Sequence, residues 1–519
     1  MKKILLSLLT GITAIQGIAQ PTWSDDVAQV FYDNCTTCHH TGGIGPMSLT
    51  TYAQASAYGA LIQNYVTNNI MPPWFADSSY QHYAGERILT QSEKDIILDW
   101  ISGGYLPGNF SQIPPPPVYT NDQVLSGTPD LVVTAPHYMS KANFVDDYVC
   151  FAIPSGLASG KKVKAIEVVP GNREIVHHCL VYFDNAGFSQ TDTSGDCAGP
   201  ITATLMGGYT PGSSPIIFPS TQNFSAGMQI GANCKIVLAM HYPAGSYGLW
   251  DETKINFYFY DEPVANFREV SCNPIIQDWN SSFVIDANQF DSTFIAEGPT
   301  TGGSSVLSVL PHMHLLGHSI QSYAVTGSND TIPFVRIPNW NFDWQDFYWF
   351  NYMKYVPAGS TIYGKGVWNN TATNPHNPNS PPQDVQYGLN TTDEMFLIYF
   401  HYMDYQVGDE YINIDSIYTE FLSTHTELKS DPKLNVYPNP FEHTITISYG
   451  LDKASFVSIY IYDMQGRVVR KLLRENQSSG QQSVEWNGTN GLNEPVGAGI
   501  YFYSVMIDGN HYSGKLIRR

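Results

Sequence analysis

Several stretches of this 519-residue chain carry side chains of the types that bind metals. In Leu310-Pro311-His312-Met313-His314, two histidines stand two residues apart. In a β-strand that spacing puts both side chains on one face, so two imidazoles aim at one point. Downstream, Thr392-Asp393-Glu394-Met395 adds a thioether. Imidazole suits copper, zinc, iron or nickel, whereas a thioether is a soft ligand that favours Cu(I), so His312, His314 and Met395 together suggest redox copper. The competing reading makes them buried strand histidines with hydroxyl or backbone partners, and Met395 core filler. A second set lies in Val176-His177-His178-Cys179 and Met240-His241-Tyr242, inside apolar runs that read as strands. Adjacent strand residues face opposite sides, so His177 and His178 share a metal only if the backbone kinks or different ring nitrogens bind. The same alternation turns Cys179 away from His178, which favours a structural cysteine over a fourth ligand.

Asn34-Cys35-Thr36-Thr37-Cys38-His39 has the spacing of a c-type haem attachment site. In such a site both thiols would add to haem vinyl groups, and the imidazole of His39 would be an iron ligand. A disulfide or zinc knuckle is the alternative, but no second cysteine pair lies nearby to complete a four-thiolate site. The sixth ligand is expected to be Met71, in Asn69-Ile70-Met71-Pro72-Pro73-Trp74, where two prolines stiffen the loop; Met47 and His82 compete for that role. The segment looks like the methionine loop of small c-type cytochromes. His/Met ligation raises the reduction potential, which suits an electron carrier.

The order His-His, His before Tyr, His-x-His-x-x-Gly and Glu-Met resembles the copper type II, ascorbate-dependent monooxygenases, over roughly residues 128 to 425. The resemblance implies two jelly-roll-like β-sandwich domains with one copper each, too far apart to be bridged. It implies that His177, His178 and His241 hold an electron-transfer copper. It likewise implies that His312, His314 and Met395 hold the copper where O2 binds and a substrate C–H bond is hydroxylated. The peptide-amidating members place an arginine where Leu310 stands and an asparagine where Leu397 stands, while Tyr399 matches their tyrosine and is a substrate-contact candidate. Without the arginine an anionic peptide end loses its bidentate partner. A less charged small organic substrate is expected, bound against Trp340, Phe342 and Trp344 if those rings line a pocket rather than fill a core. His318, sharing strand parity with His312 and His314, and His401 are expected near the site or at the surface.

The elements that must position these groups follow in chain order. Met1-Lys2-Lys3 and the short apolar run after it read as a secretory signal over residues 1–19, too short and interrupted to be a membrane anchor, and no later segment is long and apolar enough to span a bilayer. Residues 20–110 form an expected small all-α cytochrome c-like domain: a helix over Asp25 to Asp33 leads into the haem motif, and the capping box Thr90-x-x-Glu93 starts a helix that stops at Gly103-Gly104. A Pro-rich linker, residues 111–127, is suited to holding two domains at a set distance. Short β-branched and aromatic runs between Gly, Pro and Asn turns then predict two β-sandwiches, at 128–265 and 266–425. After a linker at 426–432, residues 433–519 read as another small β-domain, which resembles the immunoglobulin-like sorting domain of type IX secretion cargo.

Acidic residues outnumber basic ones by 46 to 25, which argues against a nucleic-acid partner. Outside the haem motif, Cys150, Cys179, Cys197, Cys234 and Cys272 make an odd set in an exported chain, most simply two disulfides and a free thiol. The expectation is a secreted or cell-surface, copper-dependent monooxygenase with two coppers and one haem c. Its partners would be a small-molecule substrate, O2, the type IX secretion machinery and an external reductant or the fused haem. The alternative is a non-catalytic haem and copper electron-transfer or copper-binding protein.

Overall fold

The computed structural model describes residues 20–117, 125, 128–414 and 434–519, apart from residues 44, 198, 201–202, 222–223, 278–282, 389, 452, 464–467, 492 and 508–509. The expected leader, the linker at 426–432 and nearly all of residues 118–127 lie outside the described residues. The fold is mostly β-sheet with a small helical region at its N-terminal end. It divides into two compact units, Met1–Ser423 and Thr424–Arg519.

In the helical region the turn Trp23–Val27 runs into helix Ala28–Asn34, capped by Thr22, whose hydroxyl accepts from the Asp25 N–H. Helices Tyr52–Ala57 and Gln91–Ser102 each begin with a complete capping box, Thr51 with Gln54 and Thr90 with Glu93, so both first turns have partners for their orphan N–H groups. Trp23, Phe31 and Trp100 close the core, with ring centroids 5.3 to 6.2 Å apart. Residues 71–87 then leave the helices and join the β-structure. Tyr83 bridges Phe350 on the edge strand Tyr348–Val356, the Ala84 N–H donates to the Trp349 carbonyl at 2.8 Å, and Ala76 and Tyr83 are buried in that region's core. The haem-motif region is therefore tied directly to the β-structure by its own loop, where the proline run alone predicted a spacer.

Residues 131–269 build two large sheets. One holds Leu131–Thr134, Lys254–Phe259, Lys161–Val169, Ser225–Ile230 and Phe267–Glu269 in that order, and the other holds Asp192–Gly195, Asp147–Pro154, Lys235–Tyr242, His178–Asp184 and Thr204–Tyr209. Val163, Ile166, Ile255 and Phe257 of the first share a core with Val149, Phe151, Val181 and Val237 of the second. Residues 271–404 repeat the plan with Ser271–Gln277, Leu397–Asp404, Ser304–His312 and Tyr348–Val356 in one sheet, and Phe290–Pro299, Thr361–Asn369, Gly317–Val325 and Thr331–Ile337 in the other.

The strand Ser304–His312 is covered on both faces. Val306 and Val309 belong to the core of its own region, while Leu307 and Leu310 belong to the core of the preceding one. That explains the near-continuous apolar run Val306-Leu307-Ser308-Val309-Leu310, since a strand buried on both sides has no face for polar alternation.

Three expectations are corrected here. Cys150 and Cys197 form a disulfide, but Cys179, Cys234 and Cys272 are separate buried thiols rather than a second bridge and one leftover. They sit on different elements, with the Cys234 thiol donating to Ser155 Oγ at 3.4 Å. His318 does not share a strand with His312, because the chain turns at His314 and His318 falls on the next strand. The strand itself ends at His312, so His314 reaches the site from the turn.

The second unit has sheets Asn435–Tyr437, Ile445–Leu451, Gly480–Trp486 and Val468–Gln477, Ser455–Tyr462, Gly499–Ile507, Asn510–Arg518 around a core containing Trp486, Ile447 and Ile459.

Candidate metal centres

His241 lies in the middle of the sheet on Lys235–Tyr242, directly opposite His178, the first residue of His178–Asp184. His177 precedes that strand at the end of a turn in which the Ile175 and Val176 N–H groups donate to Asn172, and its own N–H donates to the His241 carbonyl at 3.0 Å. This bend supplies the kink that is one of the two ways His177 and His178 can converge. One ligand nitrogen from each of the three imidazoles falls within 4.8 Å of the other two. His241 Nδ1 is 3.2 Å from His178 Nδ1, and the buried Nδ1 of His177 has no hydrogen-bond partner among the described residues. Buried nitrogens that converge this closely cannot all donate, so the donor set fits a bound cation such as copper. Tyr148 stacks on His241 at 4.3 Å, and Asp146 Oδ2 lies 3.0 Å from its Nε2. Cys179 points into the core, where burial pushes its thiol up and away from metal-binding thiolate character.

The second histidine pair is held from behind. His312 Nδ1 is hydrogen-bonded to Gln345 Oε1, and His314 Nδ1 donates to the Asp393 carbonyl at 3.0 Å, which leaves each Nε2 free to serve as a ligand atom. The two rings are 5.1 Å apart and perpendicular. Met395 is buried and follows Glu394, whose carboxylate organises the whole turn. It accepts from the N–H of His314 at 2.9 Å, Leu316 at 2.6 Å, Met395 at 3.3 Å and Trp368 Nε1 at 3.0 Å. Burial pushes Glu394 up to about 7, against the pull of those four donors. Trp340 donates to the His314 carbonyl at 3.2 Å and Phe342 lies edge-on to His314 at 5.8 Å, so two of the three aromatics border this site, while Trp344 faces Arg87 of the loop that carries the helical region.

Burial lowers four of these imidazoles and so favours their neutral form at ordinary pH. His312 and His177 are brought down to about 4, His314 to about 3, and His178 well below its usual range. After burial and its two near neighbours, His312 also contributes to the lowering of His178. Tyr399 sits opposite Leu310 on the adjacent strand, with its hydroxyl pushed up to about 12 by burial. His401 is not at the surface. It is buried between Ser308 Oγ at 2.7 Å and the Met206 carbonyl at 3.0 Å, stacked on Trp349, and joins the two β-regions.

At the haem motif, Cys35 and Cys38 are unpaired thiols one helical turn apart. His39 Nδ1 donates to the Met47 carbonyl at 3.1 Å, which frees Nε2 for an iron. A methyl group on Gly45 would lie 2.5 Å from that ring, so glycine leaves the space His39 needs. These residues fit a covalently held haem. Of the competitors for the sixth position, Met47 packs on the helical core, and His82 is 69% exposed and paired with Glu86 at 3.0 Å. Met71 stands half-buried where residues 71–87 depart. Sequence reasoning gave no role to Gln345, Glu394 or Arg87. Only Glu394 left a signal, as the acid of the Glu-Met pair that opens the apolar run Met395-Phe396-Leu397-Ile398.

Residues 289–421 match the copper type II ascorbate-dependent monooxygenase C-terminal domain, and residues 435–519 match the secretion system C-terminal sorting domain. No match to a curated protein was found. Among solved structures, similarity is found to PorZ, a surface component of the type-IX secretion system of Porphyromonas gingivalis, at 21% identity over 19% of this chain and 13% of that one, with a TM-score of 0.14. It is also found to dimeric latent PorU of the same organism, at 12% identity over 72% of this chain and 34% of that one, with a TM-score of 0.15. The chain thus spans a small part of the first and about a third of the second, and scores this low carry no argument about its fold. The sorting domain indicates export by type IX secretion to the cell surface or beyond it. The chain carries a copper type II ascorbate-dependent monooxygenase C-terminal domain joined to a type IX secretion sorting domain.

Proposed function

We propose that this protein is a secreted copper-dependent monooxygenase that hydroxylates a C–H bond of a small organic substrate with O2, its electrons supplied through a haem c held by Cys35, Cys38 and His39 with Met71 as sixth ligand. The observation that carries the reading is the pair of convergent histidine clusters, His177/His178/His241 with ligand nitrogens within 4.8 Å of one another and His312/His314 with perpendicular rings 5.1 Å apart beside buried Met395.

Bound at these residues, copper supplies oxygen binding and one-electron chemistry, and haem supplies further electrons. The chain does the rest. Neutral imidazoles need lose no proton to become ligands. Gln345 and the Asp393 carbonyl fix the tautomers of His312 and His314 so that each Nε2 keeps its lone pair. Buried Met313, Leu310 and Leu397 keep water from the His312 strand end. Leu310 and Leu397 also offer no cation to an anionic substrate end, which supports an uncharged or weakly charged substrate.

The test is stopped-flow absorbance of prereduced, copper-loaded protein mixed with O2. Fast haem reoxidation that requires copper and is lost in Met395→Ala supports the reading, and a substrate screen by oxygen uptake follows. Equally slow reoxidation in both proteins favours the non-catalytic reading. Full ascorbate-driven turnover after replacement of Cys35, Cys38 and His39 refutes the haem's part alone.

A further inference from the structure

Arg87 belongs to the segment that leaves the helical region and docks on the second β-region. Its guanidinium lies between the rings of Trp74, at 5.6 Å, and Trp344, at 5.9 Å, and donates to Asp346 Oδ2 at 3.2 Å. A methyl group on Gly212 would sit 3.5 Å from that guanidinium and 3.2 Å from the Cys38 sulfur, so Arg87 stands beside a thiol of the haem motif. On its other side the chain runs from Asp346 to Gln345. The Gln345 amide nitrogen donates to the Phe342 carbonyl at 2.8 Å, which fixes the amide so that its oxygen faces His312 Nδ1. The remaining Asp346 oxygen accepts the Phe347 N–H at 2.8 Å. The short loop that carries Gln345 is thus pinned from within by Phe342 and from without by Arg87.

We propose that Arg87 is a positioning residue for the His312 centre: by holding Asp346 it fixes Gln345, and through it the orientation and tautomer of His312, so that this centre reaches its final geometry only when the haem-motif region is docked. The proposal rests on the reading of His312 as a copper ligand. A planar, permanently charged guanidinium stacks between two rings and pairs with a carboxylate at once, which the compact ammonium of lysine does less well. Outer partners of this kind typically change metal affinity about 10–100-fold when removed.

The test uses the full chain with haem attached and Cu(II) loaded, read by EPR and by competition with a chelator. His312→Ala removes one of the two copper signals and so identifies the other variants' target. Arg87→Gln and Asp346→Asn are expected to weaken that one site about 10-fold or more and to shift its hyperfine splitting, with the His177/His178/His241 signal unmoved; Gln345→Ala does the same, and Arg87→Lys recovers part of the loss. An unchanged haem absorption spectrum shows that the helical region has folded, and Asp346→Asn carries the test if Arg87→Gln does not fold. Wild-type affinity and splitting in both Arg87→Gln and Asp346→Asn overturn the relay. If His312→Ala leaves both signals in place, the ligand assignment falls first and takes the relay with it.

Discussion

At the scale of single residues, the second centre depends on a carboxylate that binds no metal in this reading. Glu394 gathers N–H donors from the turn after His314, from Met395 and from Trp368, so it fixes both sides of the site at once. Glu394→Gln keeps the shape but puts an NH2 among donors, leaving at least one buried N–H without an acceptor. A loss of about 1–3 kcal/mol is expected for such a group, measured by thermal or urea unfolding of the metal-free protein, and an unchanged midpoint would remove Glu394 from its anchoring role. What could be read from sequence here was the ligand chemistry: His-x-His, His-His and a methionine are visible as residue types. Gln345 was not, because its partner His312 lies 33 positions away and only the folded turn brings them together. A kink at His177 was one of two ways for His177 and His178 to converge, the other being different ring nitrogens, and the structure has a turn closed on Asn172 there.

At the scale of elements, helix caps were legible because a capping box is local, and the Thr90/Glu93 box starts Gln91–Ser102 where its spacing predicts. The β-strands were legible as apolar runs, but which faces they bury was not. Ser304–His312 looked like one strand of one domain, yet it divides its side chains between two cores. Leu307→Ala should therefore act on the junction between the β-regions as well as on its own sheet. The expected loss is about 2–5 kcal/mol, whereas Phe290→Ala, at a ring 51% exposed, should stay within about 0.5 kcal/mol. Urea midpoints of the two variants decide it, and equal small effects would mean the strand is not the keystone of that junction.

At the scale of the whole first unit, the two β-regions are joined by polar contacts that no local pattern announces. Arg268, on Phe267–Glu269, donates to both oxygens of Asp409 at 2.7 Å across 141 residues, and Ser305 adds a hydroxyl to the same carboxylate. Burial raises Asp409, but the hydrogen bonds from Arg268, Ser305 and the Gln406 N–H outweigh it and hold the group below the usual carboxylate range. A carboxylate depressed in the folded state stabilises the fold above its unfolded value of about 4, and that contribution is lost as pH falls through the lower, folded value. The junction is therefore at full strength at neutral pH and weakens only in acid. Asp409→Asn leaves Arg268 buried without its counter-charge, so at pH 7 the variant should be less stable by about 3–5 kcal/mol. On acidification it should lose less further stability than the wild type does, because its side chain no longer titrates. Urea midpoints of both proteins at pH 7 and pH 3 measure this, and a variant as stable as the wild type at pH 7, or one with the same acid sensitivity, would show that the Arg268–Asp409 pair does not hold the β-regions together.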